Sequence, residues 1–274
     1  MKKTRVLFVS HEIYPFLDQT EMGRISRFLP QGTQERGKEI RTFMPRFGVI
    51  NERRNQLHEV IRLSGMNLII NDHDHPLIIK VASIQSARMQ VYFIDNEEYF
   101  QRKALFHDMR NKFFKDNEDR AVFFCRGVLE TVKKLGWNPD IIHCHGWMSS
   151  LIPFFVKTGY KDDPMFRDSK VICSIYNDTF DENFSDKFVN KLMMEGVNPA
   201  EVKELKNADY TSLMSNAIAK SDGIIYGSPE VHSSVDNALK KSNKPVLDFQ
   251  SPDNYLDAYN AFYDEILEES PIEA

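Results

Sequence analysis

Arg5-Val6-Leu7-Phe8-Val9-Ser10, followed by His11-Glu12-Ile13-Tyr14-Pro15, is an unbroken apolar run closed by a polar turn. Four consecutive apolar residues without alternation describe a strand buried on both faces, the habit of parallel sheets in α/β domains. A helical run from Gly23 to Gly37 follows, so the opening reads as a βα unit. In such units the loop after the strand faces the ligand crevice, and the helix N-terminus behind it offers free N–H groups to a phosphate. Here that loop reads Asp18-Gln19-Thr20-Glu21-Met22-Gly23. Two carboxylates sit where an anion would be received, and Glu21 has a complete structural role in favouring the helix dipole.

The pattern repeats along the chain. Glu39 to Met44 reads as a second strand stopped by Pro45, and residues 57–95 hold four short strand candidates without helices between them, a β-rich insertion. A helix is expected from Asn117 to Leu135, stopped by Gly136. Strands follow at Asp140–His145, Val171–Tyr176, Gly223–Tyr226 and Pro245–Leu247, with a polar helical region at 181–216. A C-terminal helix over about 252–267 turns Tyr255, Tyr259, Phe262 and Ile266 inward. One α/β domain spanning 1–274, with a mostly parallel sheet, is the parsimonious reading.

Composition narrows the function. A net charge of −5 argues against a general nucleic-acid binder, and no apolar window approaches the ~20 residues of a membrane span. Cys125, Cys144 and Cys173 are odd in number and far apart, which fits neither a disulfide framework nor a CxxC metal pair and points to a reducing cytoplasm. Nothing calls for a cofactor. The common signatures of phosphate-loop, dinucleotide, nucleophile-elbow and zinc-protease sites are absent.

The best local candidate is His143-Cys144-His145-Gly146-Trp147, at the carboxyl end of an expected strand where ligands of open α/β sheets gather. Alternation places His143 and His145 on one face and Cys144 on the other, which disfavours a single metal centre. Asp72-His73-Asp74-His75-Pro76 holds many ligand types but reads as a solvated turn. Asp116 and Asn117 follow the aromatic pair Phe113-Phe114 and open the long helix, where either suits an N-cap.

These segments, taken in order, resemble the bacterial glycogen synthases and plant starch synthases. The matches are Val6 to Phe16, Met44-Pro45-Arg46-Phe47-Gly48, Phe106-His107-Asp108, Asp116-Asn117 with Arg120, Pro139 to Trp147, and Tyr226-Gly227-Ser228-Pro229-Glu230. The resemblance implies a Rossmann-like domain corresponding to the N-terminal, acceptor-side half of a retaining GT-B glycosyltransferase that elongates α-1,4-glucan from ADP-glucose. It implies His145 as the sugar-contacting active-site histidine, with Asp116, Asn117, Trp147 and Asn177 lining the acceptor crevice. Trp147 or Phe113 would offer a stacking face to sugar.

The resemblance also marks departures. Where the family reads K-T-G-G-L-A-D, the chain reads Asp18 to Arg24, with Asp18 in place of the phosphate-contacting lysine and Arg24 in place of the aspartate. Gly146 stands for an aspartate, Met148 for a histidine, and Tyr176 for the histidine of T-V-H-N. On this reading the C-terminal nucleotide-binding domain of the family is expected to be absent. The expectation is a glycogen-synthase-like protein with a degenerate donor-phosphate loop at Asp18, Gln19, Thr20, Glu21 and Arg24, inactive alone. An α-glucan acceptor, ADP-glucose and a separately encoded C-terminal half are its expected partners. The alternative is a non-catalytic glucan- or partner-binding pseudoenzyme.

Overall fold

The computed structural model describes residues 3–18 and 20–268. Its first strand, β1 (Arg5–Ser10), is buried from Val6 onward, as four apolar residues in a row require of a central parallel strand. Helix α1 (Glu21–Glu35) begins two residues before Gly23 because the Thr20 hydroxyl accepts the Gly23 N–H at 2.9 Å. β2 (Glu39–Pro45) returns parallel to β1.

β3 (His58–Glu59), β4 (Met66–Ile70), β5 (His73–Ile84) and β6 (Met89–Asp95) follow. β3 and β4 both pair antiparallel with β5, and β5 with β6. The insertion ends sooner than the sequence suggests, because β6 pairs parallel with β2 and belongs to the main sheet. The first strand candidate of the insertion shrinks to two residues, and Val60–Leu63 form a turn.

After α2 (Glu97–Phe100), helix α3 (Asn117–Leu135) has the expected bounds, closed by Gly136 at φ 61°. Then come β7 (Ile141–His145), α4 (Leu151–Lys157), β8 (Lys170–Ile175), α5 (Phe188–Leu192) and α6 (Tyr210–Lys220). The region expected to be helical from 181 is mostly irregular up to residue 209. Aromatic rings anchor it, Phe180 stacked on Phe184 at 5.4 Å and Phe184 edge-on to Phe188 at 4.8 Å. β9 (Gly223–Tyr226), α7 (Ser233–Lys241), β10 (Val246–Leu247) and α8 (Tyr255–Glu268) complete the fold.

The sheet order is β10-β9-β8-β7-β1-β2-β6-β5-β3, with β4 on the free side of β5. From β1 the chain first builds toward β2 and β6, then resumes on the other side of β1 with β7. The order therefore reverses between β1 and β7, and a crevice opens at their carboxyl ends. Ser10 pairs there with His145.

Helix α8 lies against α1. A Cβ on Gly32 would stand 2.6 Å from Leu256, so glycine is what lets the two helices approach. Arg36 pairs with Asp257 and Lys38 with Asp264 along the same seam. Tyr263, absent from the expected inward set, is fully buried and reaches β7. Among the described residues no helix is long and apolar enough to cross a membrane, and no cluster of His, Cys, Asp and Glu is suited to hold a metal.

Candidate active site

Alternation on β7 brings His143 and His145 to one face, with ring centroids 4.0 Å apart. His143 is satisfied on both sides, by the Tyr263 hydroxyl and by the Ser174 hydroxyl, each at 2.7 Å. His145 has one partner, the Tyr176 hydroxyl at 2.9 Å on Nδ1, and its buried Nε2 has none. Burial, and then the neighbouring His11, push its pKa down to about 3. Burial likewise holds His143 well below its ordinary value. Both are neutral at pH 7.

His11, at the end of β1, is also buried, and its Nδ1 is unpartnered. Its ring lies edge-on to Phe106 at 5.2 Å, and its Nε2 is 3.9 Å from the Glu12 carboxylate. Two buried imidazoles therefore each keep a free nitrogen at the carboxyl ends of β1 and β7, the kind of unmet valence that a hydroxyl-bearing ligand satisfies.

Gly146 shapes the turn after β7. It adopts φ 76°, and a Cβ there would stand 2.5 Å from His11 Cε1, 2.5 Å from Met22 Cε and 2.6 Å from Asp178 Oδ2. That space is taken by Asp178, whose carboxylate accepts the Trp147 N–H at 2.7 Å and the Tyr210 hydroxyl at 3.1 Å. Burial raises the Asp178 pKa, opposed in order by His11, the Trp147 N–H and Tyr210. Where the resemblance sets an aspartate at position 146, the acid here comes from the loop after β8. The missing side chain and the extra carboxylate compensate one another.

The other expected residues divide between packing and surface. Trp147 is 2% exposed, enclosed by Phe106 at 4.8 Å and Phe180 at 5.1 Å, and Phe113 stacks on Phe180 at 4.9 Å. Neither presents the stacking face expected of it. Asn117 is fully buried, donating to the Phe106 carbonyl and accepting from Arg120, both within 2.9 Å. Asp116 makes no cap but takes both nitrogens of Arg102. Arg120 is enclosed by the rings of Phe47, Phe100 and Phe106, and burial lowers its pKa to about 9. Asn117 and Arg120 thus hold the Phe106 segment against His11 and Trp147. Asn177 is exposed at the end of β8.

The loop before α1 is occupied by its own side chains. Thr20 accepts from Gly23 N–H and donates to the Glu12 carboxylate, while Ser228, from the loop after β9, donates to Glu21 at 3.0 Å. Arg24 turns to the Tyr255 ring at 6.0 Å, and Asp18 is exposed. Gln19 lies outside the described residues. Beside this loop is a cavity of about 530 Å³ whose lining includes Glu12, Tyr14, Asp18, Asn51, Arg54 and Asn55. Tyr14 is 37% exposed, an aromatic ring available among amides and charges.

Glu12, Tyr14, Asp178 and Ser228, to which the sequence assigns no role, all enter the site in the structure. The signal for Asp178 was Gly146: a carboxylate missing from one place asks where its replacement lies.

Residues 5–240 match the profile of the starch synthase catalytic domain. The chain is 38% identical to the glycogen synthase of Chlorobium luteolum over 206 residues, 75% of this chain and 42% of that protein. It is 36% identical to the glycogen synthase of Chlorobaculum tepidum over 250 residues, 86% of this chain and 50% of that one. The chain thus spans about half the length or less of these relatives. In structure it resembles the catalytic domain of starch synthase IV from Arabidopsis thaliana bound to ADP and acarbose, with a TM-score of 0.68 at 16% identity, covering 93% of this chain and 53% of that one. The sheet order, the histidine strand and the profile match agree, and the chain belongs to the starch synthase catalytic domain family of glycosyltransferases.

Proposed function

We propose that this chain is the acceptor-side, glucan-binding part of a glycogen- or starch-synthase-type glycosyltransferase, acting in cytoplasmic glycogen synthesis, and that alone it does not use ADP-glucose. The observation that carries this reading is the self-occupied N-terminus of α1. A donor diphosphate would have to displace the Thr20 hydroxyl from Gly23 N–H and settle among Glu12, Asp18 and Glu21. Carboxylates there repel the charge that transfer chemistry must stabilise.

The adjoining cavity suits a neutral polyol. Tyr14 offers a ring face, and Asn51, Asn55, Glu12 and Asp18 offer hydrogen-bond partners for sugar hydroxyls. Asn177, exposed after β8, is assigned to the sugar as a further polar contact, and the free Nε2 of His145 is assigned to the terminal sugar hydroxyl. Asp116, Asn117 and Trp147 act behind this surface by positioning Phe106 and the turn at Gly146.

Calorimetric titration separates donor from acceptor. Maltoheptaose should bind saturably and ADP-glucose should not; ADP-glucose binding of comparable strength would overturn the reading. Tyr14→Ala should weaken maltoheptaose about 5- to 10-fold at unchanged melting temperature, the contribution of one sugar–ring contact. A second element of the proposal is that a separately encoded C-terminal half completes the enzyme. Labelled glucose transfer appearing only with such a partner would establish it.

A further inference from the structure

The amino edge of the sheet, opposite the crevice, carries a second cavity of about 440 Å³, within the usual size of small-molecule sites. It lies where β1, β2 and β6 begin. Lys3, Lys38, Arg41 and Arg88 contribute to its lining, with Glu39 as the acid among them. In a chain of net charge −5 this concentration of cations runs against the overall balance.

The charges are incompletely matched. Lys38 is taken by Asp264 at 2.9 Å, and Glu39 is engaged by Arg5 at 3.1 Å and by the Trp137 indole N–H at 3.3 Å. Lys3 and Arg88 have no ion-pair partner among the described residues. Arg41 lies over the Trp137 ring at 5.2 Å and gives one terminal nitrogen to the Ile40 carbonyl at 2.9 Å, yet its Nε is buried without a partner. A buried guanidinium N–H left unmet beside two unpaired cations is the donor set of an anion site. Tyr92, stacked on Phe43 at 5.0 Å, gives the same cavity an aromatic wall, and Gln34 and Gln90 add amides.

We propose that this cavity binds a small phosphate monoester of a sugar, the phosphate on Arg41, Arg88 and Lys3 and the sugar between Tyr92 and the glutamines. A planar guanidinium favours phosphate over a carboxylate-free polyol, and the aromatic wall with its amides favours a sugar ester over the bare ion. The site is separate from the glucan crevice and does not depend on the role assigned there.

Calorimetric titration with ribose 5-phosphate, inorganic phosphate and ribose tests it on the intact chain. The ester should bind saturably and more tightly than inorganic phosphate, weaken with added salt, and ribose should not bind. Arg88 sits at φ 50° in a tight turn, a conformation glycine accepts, so Arg88→Gly should leave folding intact while lowering affinity about tenfold. Lys3→Ala should act in the same direction, and Tyr14→Ala should not change it. Absence of saturable binding, indifference to Arg88→Gly, or inorganic phosphate binding as tightly as the ester would overturn the proposal.

Discussion

Two neighbouring parts of one crevice are built on opposite terms. The end of β7 is buried: His143, His145, Gly146 and Trp147 pack against Tyr263, Tyr176, Asp178 and Phe106 with little room for change. The loop before α1 is open, with Asp18 in solvent and Thr20, Glu12, Glu21 and Ser228 satisfying one another. Sequence departures from the family fall in both, but with different consequences. At the buried end Asp178 fills the space beside Gly146, whereas in the open loop Asp18, Thr20 and Glu21 stand where the resemblance expects a lysine and two glycines. Packing enforces compensation where space is short, and does not where solvent absorbs the change.

The sharpest way to break this contrast is Gly146→Ala. Positive φ and three contacts at or below 2.6 Å should together cost about 3–5 kcal/mol in denaturant unfolding. A loss under about 1 kcal/mol would mean that Asp178 and His11 move aside freely.

Next in size is the response to acid. The folded state holds His145 neutral to about pH 3, while the unfolded chain protonates it near 6.5. Its contribution is therefore complete above about pH 6.5 and lost as pH falls, by about 2 kcal/mol at pH 5. His143, shifted in the same direction, adds to the slope. Unfolding free energy measured from pH 8 to 5 should show this decline, and His145→Gln should flatten part of it. An unchanged slope would place His145 in contact with water.

The open loop should respond least. Thr20→Ala removes the cap of α1 and should cost about 1 kcal/mol. Asp18→Ala should change stability by less than about 0.5 kcal/mol, because the side chain is exposed and no partner among the described residues anchors it. If Asp18→Ala proved as costly as Gly146→Ala, the two regions would not differ as described.

The legible parts of the molecule were those governed by local pattern. β1 and β9 are short apolar runs, and α3 carries a periodic face with a glycine stop, so their places follow from sequence alone. The helix expected from 181 is replaced by a mostly irregular segment up to 209, because Phe180, Phe184 and Phe188 hold it through ring contacts, stacked in the first pair and edge-on in the second, that its polar composition does not display. The site was legible at His145 and less so around it. Tyr176 on His145 and Asp178 on Trp147 come from just after the neighbouring strand, 31 positions away in each pair, and Ser228 meets Glu21 across 207 positions. Burial of Trp147 could not be read from its motif either, since the rings that enclose it lie in separate loops.

The hydroxyl of Tyr263 on His143 joins the last helix to the strand nearest the crevice, across 120 positions of chain. During synthesis, the strands and α3 can assemble while α8 is still within the ribosome, since chains emerge at roughly 5–20 residues per second. Until Tyr263 arrives, His143 has only one of its two hydroxyl partners, Ser174. The strand beside the crevice is thus completed late, when α8 docks and supplies the second partner of His143.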